Sequence, residues 1–211
     1  MIRSRSHWRK PVNLSYKNVT IGTALAAALT LLGGPASSDE IFSARTVITL
    51  PNSEKITAFD ISFVDPVIGL YLLADRTNAV IDVIDTTTNT LLVQLAATPP
   101  FKGVVLQNGK ANNNLSGPDG VLTVNHREVW AGDGDSTVKV IDLFSQKTTH
   151  VIPTGGAFRA DELCFDPRDQ LVMVANDAET PYPWVSIIST VNYSVLARIV
   201  MDGTHGAPKA T

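Results

Sequence analysis

Residues 160–190 read ADELCFDPRDQLVMVANDAETPYPWVSIIST. The stretch opens on Ala160-Asp161 and a short apolar run to Phe165. Asp166-Pro167 makes a turn, and a second apolar run, 170–177, passes through Ala175. A polar loop follows, then a third run, WVSIIST, at 184–190. Each run is short and rich in β-branched residues, and each is bounded by Asp, Asn or Pro, which marks strands separated by turns. The same grammar occurs twice upstream. One copy is AFDISFVDP (58–66), GLYLLAD (69–75) and AVIDVIDTTTNT (79–90). The other is GPDGVLTV (117–124), REVWAGD (127–133) and STVKVIDLFSQKT (136–148). A fourth strand closes each copy, at TLLVQLA (90–96), TTHVIPT (148–154) and SVLARIVM (194–201).

Repeats of about 40–45 residues, each giving four antiparallel strands, are blades of a β-propeller. The fold expected is all-β: three full four-stranded blades plus an N-terminal outer strand at 44–50 (ARTVITL), forming an incomplete ring. A closed ring takes at least four blades, so the chain reads as truncated or in need of another chain. An open arc would expose two blade faces and an unpaired edge. Asp119 follows Asp60 at a wider interval than Asp161 follows Asp119. The excess lies in 96–118, a Pro-, Gly- and Asn-rich insertion. It enters the second copy at Asp119, and as a lid it would carry Phe101, Lys102 and Asn112 to Asn114. A lid and a passive surface loop are both open readings.

Ahead of the repeats, residues 1–36 carry Arg3, Arg5, Arg9, Lys10 and Lys17 and no acid. An apolar run follows from Val19 to Leu32, then small residues at Gly34 and Ala36. This is the pattern of a signal peptide, with an uncleaved anchor as the alternative. The domains expected are therefore a 1–36 signal segment and a 37–211 partial propeller, exported to the periplasm or the exterior of a bacterium. The whole chain carries −3 at neutral pH, and without the basic leader the body is more acidic still. That argues against nucleic acid and for cations or basic partners. A membrane would be met only through the leader. The lone Cys164, between Leu163 and Phe165, reads as a buried small hydrophobe.

The segments DRTNAVIDVIDTTTNT (75–90), VWAGDGDSTVKVIDL (129–143) and RADELCFDPRDQLVMVANDAE (159–179) resemble secreted bacterial propellers of the YVTN/YncE-like family, over roughly residues 41–203. The resemblance implies the propeller fold. It is weak for function, since related propellers include binding proteins, lactonases and quinoprotein subunits.

Propeller geometry gathers the entries to strand one and the loops after strand two on one face. The entries are Asp60, Asp119 and Asp161, with Glu162 beside the last. The loops bring Asp75 and Arg76, then Asp133 and Asp135, then Asn176, Asp177 and Glu179. Arg159, Tyr182 and Trp184 lie near the same loops. Three readings compete for the acids. They cap turns, they hold a divalent cation, or they catalyse. Asp60, Asp119, Asp161 and Glu162 are the candidate metal ligands, and Ca2+ or Mg2+ suits such oxygens. Arg76 and Arg159 offer salt bridges instead. The chain contains no G-x-S-x-G, P-loop or H-E-x-x-H, and no catalytic residue is assigned. The function expected is a binding scaffold taking a small molecule or protein on this face. The alternative is a metal-dependent hydrolase of the lactonase kind.

Overall fold

The computed structural model describes residues 46–51 and 55–203. The chain divides into Met1–Ser43 and Ala44–Thr211. The signal-peptide expectation falls outside the described residues. No helix among the described residues is long and apolar enough to cross a membrane.

Among the described residues the strands form three four-stranded antiparallel sheets and one small hairpin. Blade 1 is β1 (Ser62–Asp65), β2 (Leu70–Asp75), β3 (Val80–Asp85) and β4 (Thr90–Leu95). The insertion folds a small hairpin, β5 (Leu106–Gln107) with β6 (Lys110–Ala111). Blade 2 is β7 (Val121–Val124), β8 (Glu128–Asp133), β9 (Thr137–Asp142) and β10 (Lys147–Pro153). Blade 3 is β11 (Leu163–Asp166), β12 (Leu171–Asn176), β13 (Trp184–Ser189) and β14 (Ser194–Val200). The first strands β1, β7 and β11 are neighbours, which makes them the inner strands around a common axis. The repeat reading is met blade for blade.

Alternation along the strands gives each blade two apolar faces. In blade 1, Phe63, Leu72 and Val83 stand in one cross-strand row. They pack against Val129, Ala131 and Ile141 of blade 2. The matching row of blade 2 is Leu122, Trp130 and Val140, and it packs against Val172, Val174 and Ile188 of blade 3. Each interface is thus the forward face of one blade on the rear face of the next. Trp130 is fully buried, and its indole N–H is satisfied by Glu128 Oε2 at 2.9 Å.

Two expectations change. Thr46–Leu50 forms no strand; it runs beside Thr88–Leu91. Its β-branched composition favours a strand only where a ladder partner exists. Cys164 is exposed, not buried. Its neighbours Leu163 and Phe165 face blade 2, so alternation turns Cys164 to the opposite, forward face.

Candidate functional site

The entry aspartates are held by one repeated device. Asp60 N–H donates to Ala74 O at 2.9 Å, Asp119 N–H to Gly132 O at 2.9 Å, and Asp161 N–H to Ala175 O at 2.8 Å. The acceptor is in each case the penultimate residue of strand two. The return bonds match, from Ala74 N–H to Ile61 O, Gly132 N–H to Gly120 O, and Ala175 N–H to Glu162 O. The rung extends the strand-one ladder by two residues, so each carboxylate leaves its blade at the same height. Gly132 is required here, because a Cβ on it would stand 1.9 Å from Ala160 O.

The result is convergence. One carboxylate oxygen from each of Asp60, Asp119 and Asp161 lies within 4.8 Å of the other two. Arg76 Nη2 bridges Asp60 and Asp119, and Arg76 Nε donates to Pro118 O at 3.3 Å. Arg159 Nε meets Asp161 Oδ2 at 2.8 Å, and its Nη2 meets Asp177 Oδ2 at 2.7 Å. The insertion adds Asn114, whose Oδ1 accepts from Arg159 Nη1 at 3.3 Å. Asp119 is at the bottom, fully buried, and its Oδ2 has no hydrogen-bond partner. Asp60, Asp161 and Asp177 form the rim that water reaches, with side chains 27%, 16% and 48% exposed.

Burial pushes the Asp119 carboxyl up to about 8; Arg76 opposes this, and Asp161 and Asp60 add to it. Asp161 is pushed up to about 6, again mainly by burial, with Arg159 opposing. Desolvation therefore outweighs the arginines at both. With Asp119 protonated at neutral pH, the rim acids outnumber the arginine charges, and the locus favours a cation.

The other candidates are dispersed into structural duties. Asp75 caps its turn, accepting from Asn78 N–H at 3.0 Å and Asn78 Nδ2 at 2.6 Å. Asp133 Oδ2 pairs with the fully buried Lys139, and its Oδ1 accepts from Lys102 N–H at 3.0 Å. Asp135 accepts from Thr137 Oγ1 and lies 3.9 Å from Lys139 Nζ. Glu179 Oε1 accepts from Ala157 and Phe158 N–H, both at 2.8 Å. Trp184 stacks beneath Arg198, 5.0 Å from guanidinium to ring, and donates to Ser186 Oγ at 3.1 Å. Glu162 is exposed and outside the cluster, because consecutive residues of an extended chain point to opposite sides.

Asn176 is buried between Thr154 Oγ1 and Ser186 Oγ, 2.8 Å from each. Thr154 also bonds Ser136 O at 2.9 Å. We expect Thr154→Val to cost about 1–3 kcal/mol, since it strands the Asn176 amide; urea unfolding reads this directly.

Lys139 is the residue the sequence reading missed. It occupies the fully buried position that Asp82 and Ser186 fill in the other blades. Its Nζ donates to Pro100 O at 2.8 Å and lies 5.0 Å from the Phe101 ring. Phe101 is itself 4% exposed. The root of the insertion is thus pinned to blade 2, and Phe101 serves the core. A lysine within an alternating apolar strand, TVKVID, was the available signal.

An apolar cleft of about 700 Å3 lies elsewhere, at the opposite end of the inner strands, lined by Phe63, Asp65, Leu122, His126 and Phe165 among others. His126 Nδ1 sits 2.7 Å from Asp65 Oδ2 there, far along the strands from the entry carboxylates.

No family model and no curated protein matches the sequence. Among solved structures, the protein is similar to Kuenenia stuttgartiensis hydrazine synthase, with a TM-score of 0.50 and 13% identity over 66% of this chain and 36% of that one. It is also similar to the WD40 β-propeller domain of Doa1, at 0.48 and 12%, covering 67% and 40%. A third is the dihydro-heme d1 dehydrogenase NirN in complex with DHE, at 0.47 and 13%, covering 67% and 28%. The chain spans well under half the length of each. At such identities the likeness concerns the fold alone, and the fold of this chain is that of a β-propeller.

Proposed function

We propose that this protein is an exported bacterial propeller of the YVTN/YncE-like kind, serving as a binding scaffold for a small cationic ligand or a basic protein segment. The observation that carries the reading is the meeting of Asp60, Asp119 and Asp161 at one point. Three blades each use the same backbone rung to deliver a carboxylate there, whereas Asp75, Asp133, Asp135 and Glu179 are engaged by structural partners of their own. Arg76 and Arg159 fix the carboxylates without neutralising the rim. The repeated segments quoted above support the family, and the basic-apolar leader supports export.

A second reading is a divalent ion on the same three carboxylates, polarising a carbonyl for hydrolysis. The oxygen spacing and the unpartnered Asp119 Oδ2 favour it. Against it, Arg76 already holds Asp60 and Asp119, and an ion would have to displace it.

Thermal-shift titrations with putrescine, Ca2+ and Mg2+, on wild type and Asp161→Asn, separate the two. The scaffold reading expects stabilisation by the diamine, lost in the variant, and no stoichiometric metal in the purified protein. A bound divalent ion, with lactone hydrolysis lost in Asp161→Asn, would establish the hydrolase. No response to any of the three removes this face as a cation site.

A further inference from the structure

Two guanidiniums bridge pairs of carboxylates at the entry face. Arg76 Nη2 joins Asp60 to Asp119. Arg159 joins Asp161 to Asp177, through Nε and Nη2. One neighbouring pair is left over, Asp60 with Asp161. Each places an oxygen within 4.8 Å of the other, and among the described residues no cation joins them. Burial raises the Asp161 carboxyl, and the charges of Asp177 and Asp60 raise it further. Beneath the pair, the fully buried Asp119 has an oxygen, Oδ2, with no hydrogen-bond partner.

Charge, reach and hydration together define what fits this gap. With Asp119 protonated, Asp60, Asp161 and Asp177 face two arginines, so one further positive charge balances the locus. Two oxygens no more than 4.8 Å apart can both lie about 2.8 Å from a single nitrogen, the length of a charge-assisted hydrogen bond. The two N–H bonds of one guanidinium NH2 group diverge widely enough to reach both, as those of Arg76 Nη2 reach Asp60 and Asp119. Asp60 and Asp161 are also largely shielded from water. A guanidinium is more weakly hydrated than an ammonium, so it loses less on entering such a place. A divalent ion carries one charge too many and meets oxygens that the arginines already hold.

We propose that the ligand of this face presents a guanidinium, which bridges Asp60 and Asp161 as the chain's own arginines bridge the neighbouring pairs. The inference rests on the cation-binding reading above and names the group that the site takes. A free alkylguanidine and the arginine side chain of a basic segment carry the same group, and the experiment separates these two sources.

Agmatine and putrescine make a matched pair of probes. Both have a four-carbon chain with an ammonium at one end; the other end is a guanidinium in agmatine and a second ammonium in putrescine. Isothermal titration of the full chain at neutral pH is expected to show agmatine binding about tenfold tighter than putrescine. Asp60→Asn and Asp161→Asn should each weaken agmatine several-fold and bring the two probes level. Asp169→Asn, in the turn between β11 and β12 at the other end of the blade, should bind as wild type does. A pentapeptide with one central arginine identifies the source: binding tighter than agmatine assigns a protein segment, and weaker binding a small molecule. Should one of the two site variants fail to fold, as judged by circular dichroism, the other carries the test. Putrescine binding as tightly as agmatine overturns the guanidinium assignment and leaves the cation site standing. Agmatine binding that survives both Asp60→Asn and Asp161→Asn overturns it as well, since the group then sits elsewhere. If neither probe binds, the cation-binding reading itself fails, and this inference with it.

Discussion

Lys139→Met is expected to destabilise the protein by about 3–5 kcal/mol and to loosen the 96–118 insertion. The substitution keeps the bulk of the side chain but strands the Asp133 carboxylate, which is fully buried and left without its cation. Burial already pushes the Asp133 carboxyl upward, with Lys139 the chief group opposing it. The same change removes the bond to Pro100 O. Chemical denaturation reads the first effect. Hydrogen exchange at Lys102 N–H, which donates to Asp133, reads the second. The paired change Asp133→Asn with Lys139→Met should recover much of the stability. The uncompensated charge is then gone, while the amide that replaces the carboxylate still accepts from Lys102. A loss below about 1 kcal/mol for Lys139→Met alone would mean that this ion pair is not dry.

Asp119 should make the protein less stable as the pH rises from 4 to 8. Its carboxyl has an ordinary value of 3.8 when unfolded and about 8 when folded. The folded state therefore holds the proton over that interval and the unfolded chain does not. The contribution is complete below pH 4 and lost as pH climbs through 8. At about 1.4 kcal/mol per pKa unit, the swing is on the order of 3–5 kcal/mol. Asp161, raised to about 6, adds a smaller change of the same sign between pH 4 and 6. Asp119→Asn imitates the protonated form. The variant should be close to wild type in stability at pH 4 and increasingly more stable as the pH rises to 8, with its melting temperature much flatter over that interval. If both proteins lose stability equally from pH 5 to 8, Asp119 is not the group responsible.

Much of this was legible in the sequence, and the exceptions share a cause. The blades follow from local information, namely short β-branched runs punctuated by Asp, Asn, Gly and Pro. The recurrence of Asp60, Asp119 and Asp161 at one offset from strand one was enough to place them together. Arg76 was recognised as a candidate neutraliser because it sits one residue beyond strand two of its own blade. What could not be read depends on which face is covered, and by what. Leu163 and Phe165 suggested that Cys164 is interior, but the alternation that buries those two turns Cys164 the other way. Glu162 adjoins Asp161 in the chain and departs from it for the same reason. Lys139 is buried only because Asp133 and a carbonyl of the insertion both reach it. Those partners lie in separate elements, so strand propensity carries no trace of them. Trp184 stands among the ligand-face candidates of the sequence, yet Arg198, from the next strand, lies above its ring.

The division of labour among the acids also has a physical basis. Asp75 and Asp133 end the second strands, where a carboxylate can accept from the backbone or side chain of a nearby turn or loop. The entry aspartates precede the first strands, where no turn N–H is offered, and their oxygens are free to meet across blades. Position within the repeat thus separates Asp75 and Asp133 from the three converging aspartates, while Asp177, one residue past β12, joins the rim through Arg159.

Carbon-detected NMR titration of the aspartate side chains tests the convergence most directly. Carboxylates crowded beneath Arg76 should give an Asp119 midpoint near 8 and an Asp161 midpoint near 6. Asp161→Asn should lower the Asp119 midpoint, because it removes a neighbouring charge that is already ionised when Asp119 titrates. Independent titrations near the ordinary 3.8, indifferent to that substitution, would mean that the blades do not bring these residues together.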